Sequence, residues 1–177
     1  MQIASLQPHP DTPCSAVKAI QVLLRFRPDG ALLLDYRIEG DMVALRIPDP
    51  VPPARVDGLW QHTCLEAFVM AGEGPGYREF NLSPSGAWQA YDFRGYRDGG
   101  EPAAIALSPS LCGRSPQACS LAVALSPLPP GPVLRLGLSA VIEETNGRLS
   151  YWALRHPSGR PDFHYTGAFA LTLEQLA

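Results

Sequence analysis

Two runs of strict alternation, Cys64–Met70 and Tyr77–Leu82, constrain this chain more than any other feature. Leu65, Ala67 and Val69 alternate with Cys64, Glu66, Phe68 and Met70, and that period of two belongs to an extended strand. Residues 71–76 form a breaker cluster of glycines around Pro75 that neither helix nor strand crosses. Beyond it, Tyr77, Glu79 and Asn81 alternate with Arg78, Phe80 and Leu82. A hairpin with Met70 opposite Tyr77 sets Phe68 against Glu79 and Glu66 against Asn81. Leu65, Ala67, Val69, Phe80 and Leu82 then share one apolar face. His62, Cys64, Glu66, Glu79, Asn81 and Ser83 share the other. A slip of one residue would bury Glu79 beneath Leu65, so the hydrophobic pattern selects this register.

The quartet Ser83-Pro84-Ser85-Gly86 predicts a second turn, followed by a third strand over 87–93. Centring the pairing on that quartet brings Trp88 near Asn81 on the polar face and sends Tyr91 and Phe93 to the core. Gln89 then points inward, at odds with the rest of that register.

Elsewhere, nineteen prolines and sixteen glycines separate short apolar runs, the punctuation of an all-β chain. Strands are expected at Val17–Phe26, 31–38, 43–47, 105–107, 120–125, Val133–Glu143, 149–155 and 169–173, with residues 39–41 as a hairpin turn. The proline-rich stretch 48–58 reads as a crossover between sheets, and 94–101 as a charged loop. Asn146-Gly147 is the strongest short hairpin signal. Centred there, Val141 faces Trp152 and Glu143 faces Ser150. Leu134, Leu136, Leu138, Ala140 and Ile142 are then buried, with Trp152 and His156 on the less apolar face. Nine or so strands without a convincing helix predict one domain over 1–177, an all-β two-sheet antiparallel sandwich.

Fourteen basic residues against seventeen acidic ones leave a net charge of −3, without the basic footprint of a nucleic-acid or anionic-membrane binder. No apolar run reaches the roughly 18 residues of a membrane span. Residues 1–13 lack a basic segment followed by an apolar one, so the cytoplasm is the expected location. Cys14, Cys64, Cys112 and Cys119 lack zinc spacing and are expected as thiols there.

The segments Leu59-Trp60-Gln61-His62-Thr63-Cys64-Leu65-Glu66-Ala67-Phe68, Glu79-Phe80-Asn81-Leu82-Ser83-Pro84-Ser85-Gly86, Tyr96-Arg97, Tyr151-Trp152-Ala153-Leu154-Arg155-His156-Pro157 and Pro161-Asp162-Phe163-His164 carry a resemblance. In order and spacing, over nearly the whole chain, they resemble the bacterial DOMON-like proteins, a group similar to the family 9 carbohydrate-binding modules. The resemblance implies an immunoglobulin-like β-sandwich. It also implies a sugar held between two aromatic rings with polar side chains around it. Other DOMON proteins bind haem through Met and His, but Met70 sits at a hairpin end and an exported compartment is not indicated, so haem is the least supported reading.

An aromatic ring stacks on the C–H side of a pyranose while amides and carboxylates take its hydroxyls. The polar face offers Trp88 beside Asn81 and Glu66, Trp152 near His156, and Trp60 at the mouth of the first strand. The plainer alternative makes all three tryptophans core. His62, Glu79, Arg97, Asp162 and His164 complete the candidate ligand-binding set. His62 and Glu66 cannot share a metal, because four residues of strand span roughly 13 Å. Glu66 and Glu79, as diagonal neighbours, approach a glycosidase-like spacing, with His156 as a possible partner in an enzyme. His156 and His164 flank a loop able to gather both around Asp162, as a proton relay or, the favoured reading, as hydrogen bonds that pin the loop. The expectation is therefore non-catalytic binding of a small polar ligand, a carbohydrate before others, without a cofactor. An enzyme using Glu66, Glu79 and the histidines is the alternative, and a protein-binding sandwich the third.

Overall fold

The computed structural model describes residues 1–72 and 74–175, with the side chains of residues 111 and 112 (the latter the cysteine considered above) outside the described set. Twelve strands form: β1 (Gln2–Pro8), β2 (Val17–Phe26), β3 (Leu32–Gly40), β4 (Cys64–Ala71), β5 (Tyr77–Leu82), β6 (Trp88–Gly95), β7 (Asp98–Pro102), β8 (Ser110–Arg114), β9 (Ala118–Leu125), β10 (Val133–Glu143), β11 (Leu149–Ala153) and β12 (Leu171–Glu174).

They make two antiparallel sheets. The first has the order β1-β2-β3-β9-β8, and the second β7-β6-β5-β4-β10-β11, with β12 following β11 along the same edge of β10. The strand β1 belongs to both. Gln2–Leu6 pair with β2, whereas Gln7 and Pro8 pair with Ala153 and Trp152 of β11, so one strand turns the corner between sheets. The stretch 41–63 leaves β3 in the first sheet and enters β4 in the second.

Alternation explains the first sheet. In β9, Cys119, Leu121, Val123 and Leu125 point inward while their neighbours are half-exposed, as in a strand with one solvated face. The inner faces meet in a single apolar core, where Ile20, Leu34 and Tyr36 oppose Leu65, Phe80, Leu136 and Leu138. In the second sheet β4 is buried along almost its whole length on both faces. Its outer face carries a smaller cluster of Phe68, Met70, Tyr77 and Phe169, packed against Phe93 and Phe163. The segment after β11 lies over that face. Gly137, opposite Phe68, admits it: a Cβ there would stand 2.6 Å from the Phe169 ring.

The hairpin β4–β5 has the expected register, with Met70 opposite Tyr77, Phe68 opposite Glu79 and Glu66 opposite Asn81. Two other hairpins depart from expectation by one residue each. Leu82 pairs with Trp88 and Asn81 with Gln89, while Ala140 pairs with Trp152 and Val141 with Tyr151. The cause is common to both. Ser83 N donates to Ala87 O at 2.8 Å and Glu144 N to Arg148 O at 2.9 Å, closing three-residue loops whose last residue is Gly86 or Gly147. These glycines have φ of +97° and +85°, the left-handed geometry that closes such a loop, instead of the even-numbered turns expected. Trp88 and Trp152 therefore enter the core at 5% and 4% exposure, not the polar face, and Tyr91, Phe93 and Tyr151 point outward.

Four further expectations are corrected. Residues 43–47 form no strand; Met42–Ala44 is a 3-10 turn capped by the Asp41 side chain. Residues 94–101 are the β6–β7 hairpin, not a loop. The short strand at 105–107 is absent, and β8 begins at Ser110. The strand β1 was not anticipated, because Gln2–Pro8 mixes polar and apolar residues without a turn before it. Among the described residues no helix is long and apolar enough to cross a membrane.

Candidate functional site

The outer face of the second sheet holds a cleft of about 500 Å³, within the range of small-molecule sites. Its floor comes from Glu66 and Phe68 of β4, Glu79 of β5 and Val141 of β10. One wall carries Tyr91 and Phe93 of β6 with Arg97 from the β6–β7 turn, and the other carries Tyr151 of β11 with Phe163 and His164 from the C-terminal segment. Trp60, on the 3-10 turn Leu59–Gln61, stands at the rim and is 52% exposed.

The polar groups of the floor are buried, and each makes a hydrogen bond. Asn81 Nδ2 donates to Glu79 Oε1 at 2.7 Å, and the Cys64 thiol lies 3.7 Å from Asn81 Oδ1. Ser139 Oγ donates to Glu66 Oε2 at 3.2 Å. Burial pushes the Glu66 carboxyl well above the usual carboxylate range, and the neighbouring Glu79 charge adds to the effect. Burial raises Glu79 to about 7, against the pull of the Asn81 hydrogen bond and the Arg97 charge.

A chain of hydrogen bonds runs to His164. Arg97 N donates to Tyr77 Oη at 3.3 Å, and Tyr77 Oη lies 2.7 Å from His164 Nδ1. The other ring nitrogen, Nε2, is 3.7 Å from Glu79 Oε2. Burial, helped by the Arg97 charge, lowers His164 to about 4, so at neutral pH this approach is not an ion pair. The ring is edge-on to Phe68 and Phe93, with centroids 5.2 and 5.0 Å away.

Loop residues hold the walls. Asp162 accepts from Arg97 Nη2 at 2.8 Å and from Tyr96 Oη at 2.7 Å. On the other side, Asp57 accepts from Gln89 Nε2 and Tyr91 Oη, each at 2.8 Å. The Arg55 guanidinium lies 4.6 Å over the Trp88 ring and donates to Gln89 Oε1 at 3.0 Å. Gln89, awkward in the expected register, is thus satisfied on the outer face by two crossover residues.

Comparison with solved structures decides the architecture. A protein from Bacteroides uniformis ATCC 8492, described as a candidate carbohydrate-binding protein, superposes with a TM-score of 0.67. It is 16% identical, and the match covers 98% of this chain and 85% of that one. A family 9 carbohydrate-binding module from Caldicellulosiruptor kristjanssonii, in complex with cellotriose, superposes at 0.56 with 11% identity, covering 98% of this chain and 81% of that one. The fold is that of the family 9 carbohydrate-binding modules. No sequence-family model matches the chain, and neither does any curated protein sequence.

Of the residues singled out in the sequence, Trp60, Glu66, Glu79, Arg97 and His164 line this one cleft. Asn81 and Asp162 stand behind it, holding Glu79 and Arg97. Trp88 and Trp152 are core residues and present no ring to the cleft. His62 sits elsewhere, with Nδ1 2.8 Å from Glu143 Oε2, beside a neighbouring cleft between the crossover and the sheet. His156 is also apart: its Nε2 lies 2.9 Å from Gln7 O and its ring is edge-on to His9. The expected gathering of His156 and His164 around Asp162 therefore does not occur, since only His164 meets Asp162, through its backbone N at 3.1 Å. His156 thus lies apart from Glu66 and Glu79, and the histidine beside Glu79 is His164.

Sequence reasoning missed Tyr91, Phe93, Tyr151 and Phe163 as cleft rings. The inward Gln89 was the available signal for the first two, since an amide facing an apolar core argues for a shifted register. Among the described residues no three His, Cys, Asp or Glu side chains converge as metal ligands.

Proposed function

We propose that this chain binds a carbohydrate, without chemistry, in the outer-face cleft. One observation carries the reading: aromatic rings and buried, hydrogen-bonded polar groups line the same small concavity. Tyr91, Tyr151, Phe163 and the rim residue Trp60 line the cleft with aromatic surface suited to a pyranose, and Glu66, Glu79, Arg97 and His164 offer partners for hydroxyls. The carbohydrate-binding neighbours share the scaffold on which this cleft is built, and the family 9 module among them was solved with cellotriose. The fold by itself does not specify the activity; the arrangement of the cleft supplies the argument.

Isothermal titration against a panel of mono- and disaccharides tests it. The wild type is expected to bind at least one sugar, and Trp60→Ala and Tyr151→Ala are each expected to weaken that binding about tenfold, or 1.4 kcal/mol. A Trp88→Ala variant is the wrong control, since loss of a core ring perturbs folding. If no sugar gives heat, or if Trp60→Ala binds unchanged, the assignment to this cleft is lost.

The paired carboxylates favour a second reading, acid-assisted glycoside cleavage, because Glu79 is held at about 7 beside Glu66. Release of chromophore from aryl glycosides, abolished in Glu79→Gln, would support it over simple binding.

A further inference from the structure

The floor of the cleft carries acid that its walls do not neutralise. Glu66 and Glu79 are 2% and 6% exposed and both line the cavity. Each has one oxygen occupied, by Ser139 and by Asn81. The second oxygen of Glu66 receives no hydrogen bond from the described residues, and that of Glu79 has only His164 Nε2, at 3.7 Å. Among the described residues Arg97 is the one cationic side chain in the lining, and its guanidinium is bound to Asp162, not to either glutamate.

Neutral sugar hydroxyls do not require this arrangement. Amides and hydroxyls bind them as well, and two carboxyls on neighbouring buried strands oppose each other's ionisation. An organic cation does account for it. Carboxylate oxygens without a protein donor meet an ammonium through charge-assisted bonds, and the rings of Tyr91 and Tyr151 line the same cavity, where aromatic π-systems attract positive charge.

We propose that the ligand carries an ammonium group seated between Glu66 and Glu79, which makes it an amino sugar and not a neutral one. This rests on the carbohydrate reading above. It adds the charge of the ligand and the part of the cleft that selects it. The remainder of the pyranose faces Tyr151 and Trp60, with Arg97 and His164 at its hydroxyls.

The test is calorimetric titration with the 2-hydroxy, 2-amino and 2-acetamido forms of glucose, galactose and mannose, with choline as a cation that is no sugar. At pH 7 one amino sugar is expected to bind at least about tenfold more tightly than its neutral and acetylated counterparts, a difference of one charge-assisted contact. In Glu66→Gln that ratio is expected to fall to near one, with the melting curve confirming a folded protein. At pH 6, titration in buffers of different ionisation heat is expected to show about one proton released per amino sugar bound and none for neutral sugars, because the ammonium ionises an acid that is protonated in the free protein. Equal binding of glucose-type and glucosamine-type ligands would overturn the ammonium site and leave the carbohydrate reading intact. Tighter binding of the acetamido form would overturn it as well. Binding of choline without any sugar would overturn both.

Discussion

The inner and outer faces of the β4–β5 ribbon are buried almost equally, yet they do opposite things. Leu65 is 1% exposed on one face and Glu66 is 2% exposed on the other. The inner face is apolar except for Arg78 at its end, where it pairs with Asp92, and it meets the opposite sheet in the main core. The outer face mixes Phe68 and Tyr77 with Glu66, Glu79 and Asn81, and it is partly covered by the segment following β11. Burial alone therefore does not mark a structural residue. The inner face lowers the free energy of folding by removing hydrocarbon from water. The outer face withdraws two carboxyls from water and recovers only part of that cost through single hydrogen bonds. The ligand proposed above would recover the rest of that cost by meeting the carboxyl oxygens that the protein leaves open.

The sharpest way to separate the faces is to truncate each. Phe80, fully buried on the inner face, is expected to cost about 3–5 kcal/mol when changed to Ala, measured by urea unfolding. The cover of the outer face is expected to be less costly. Gly137→Ala would press a methyl against Phe169 and should cost about 1–3 kcal/mol, with the C-terminal segment becoming more susceptible to protease.

The pH dependence separates the faces by charge. A carboxyl whose folded pKa lies above its unfolded one contributes stability that is complete below the ordinary carboxylate range. That contribution is lost as pH rises through the folded value, about 7 for Glu79, and Glu66 acts in the same direction. His164 has the opposite sign: lowered to about 4, it leaves stability rising with pH up to its ordinary 6.5 and constant beyond. Between pH 6.5 and 8.5 the acids prevail, so the melting temperature should fall by a few degrees, on the order of 1 kcal/mol or more. The double variant Glu66→Gln/Glu79→Gln should flatten that slope. An unchanged slope would mean that the two acids are not the groups responsible. Trp60→Ala, at the exposed rim, should shift stability least, by about 0.5 kcal/mol or less, while weakening ligand binding.

Much of the fold was legible because hydrophobic period and hairpin register reinforce each other. In β4–β5 a one-residue error would have buried Glu79 against the core, and the pattern excluded it. The strands Val17–Phe26 and Val133–Glu143 were bounded to the residue by long apolar alternation. Trp88 and Trp152 were misplaced because a glycine ending a three-residue loop reads like one in a two- or four-residue turn. The difference of one residue exchanges every side chain between faces. The strand β1 was not seen because its pairing with both sheets is a property of the assembled sandwich, not of Gln2–Pro8.

The sequence by itself determined that the chain is all-β, that Leu65, Ala67, Val69, Phe80 and Leu82 turn inward together, and that Glu66, Glu79 and Asn81 share the other face. Local alternation suffices for that, since the side chains of a strand have only two directions available. Tertiary structure alone decided which rings join those acids. Trp60 arrives on a crossover, Arg97 on a hairpin turn, and Phe163 and His164 on a segment some eighty residues away from Glu79 in the chain. Their convergence depends on loop lengths and on packing across β4 and β10, and no local period encodes either.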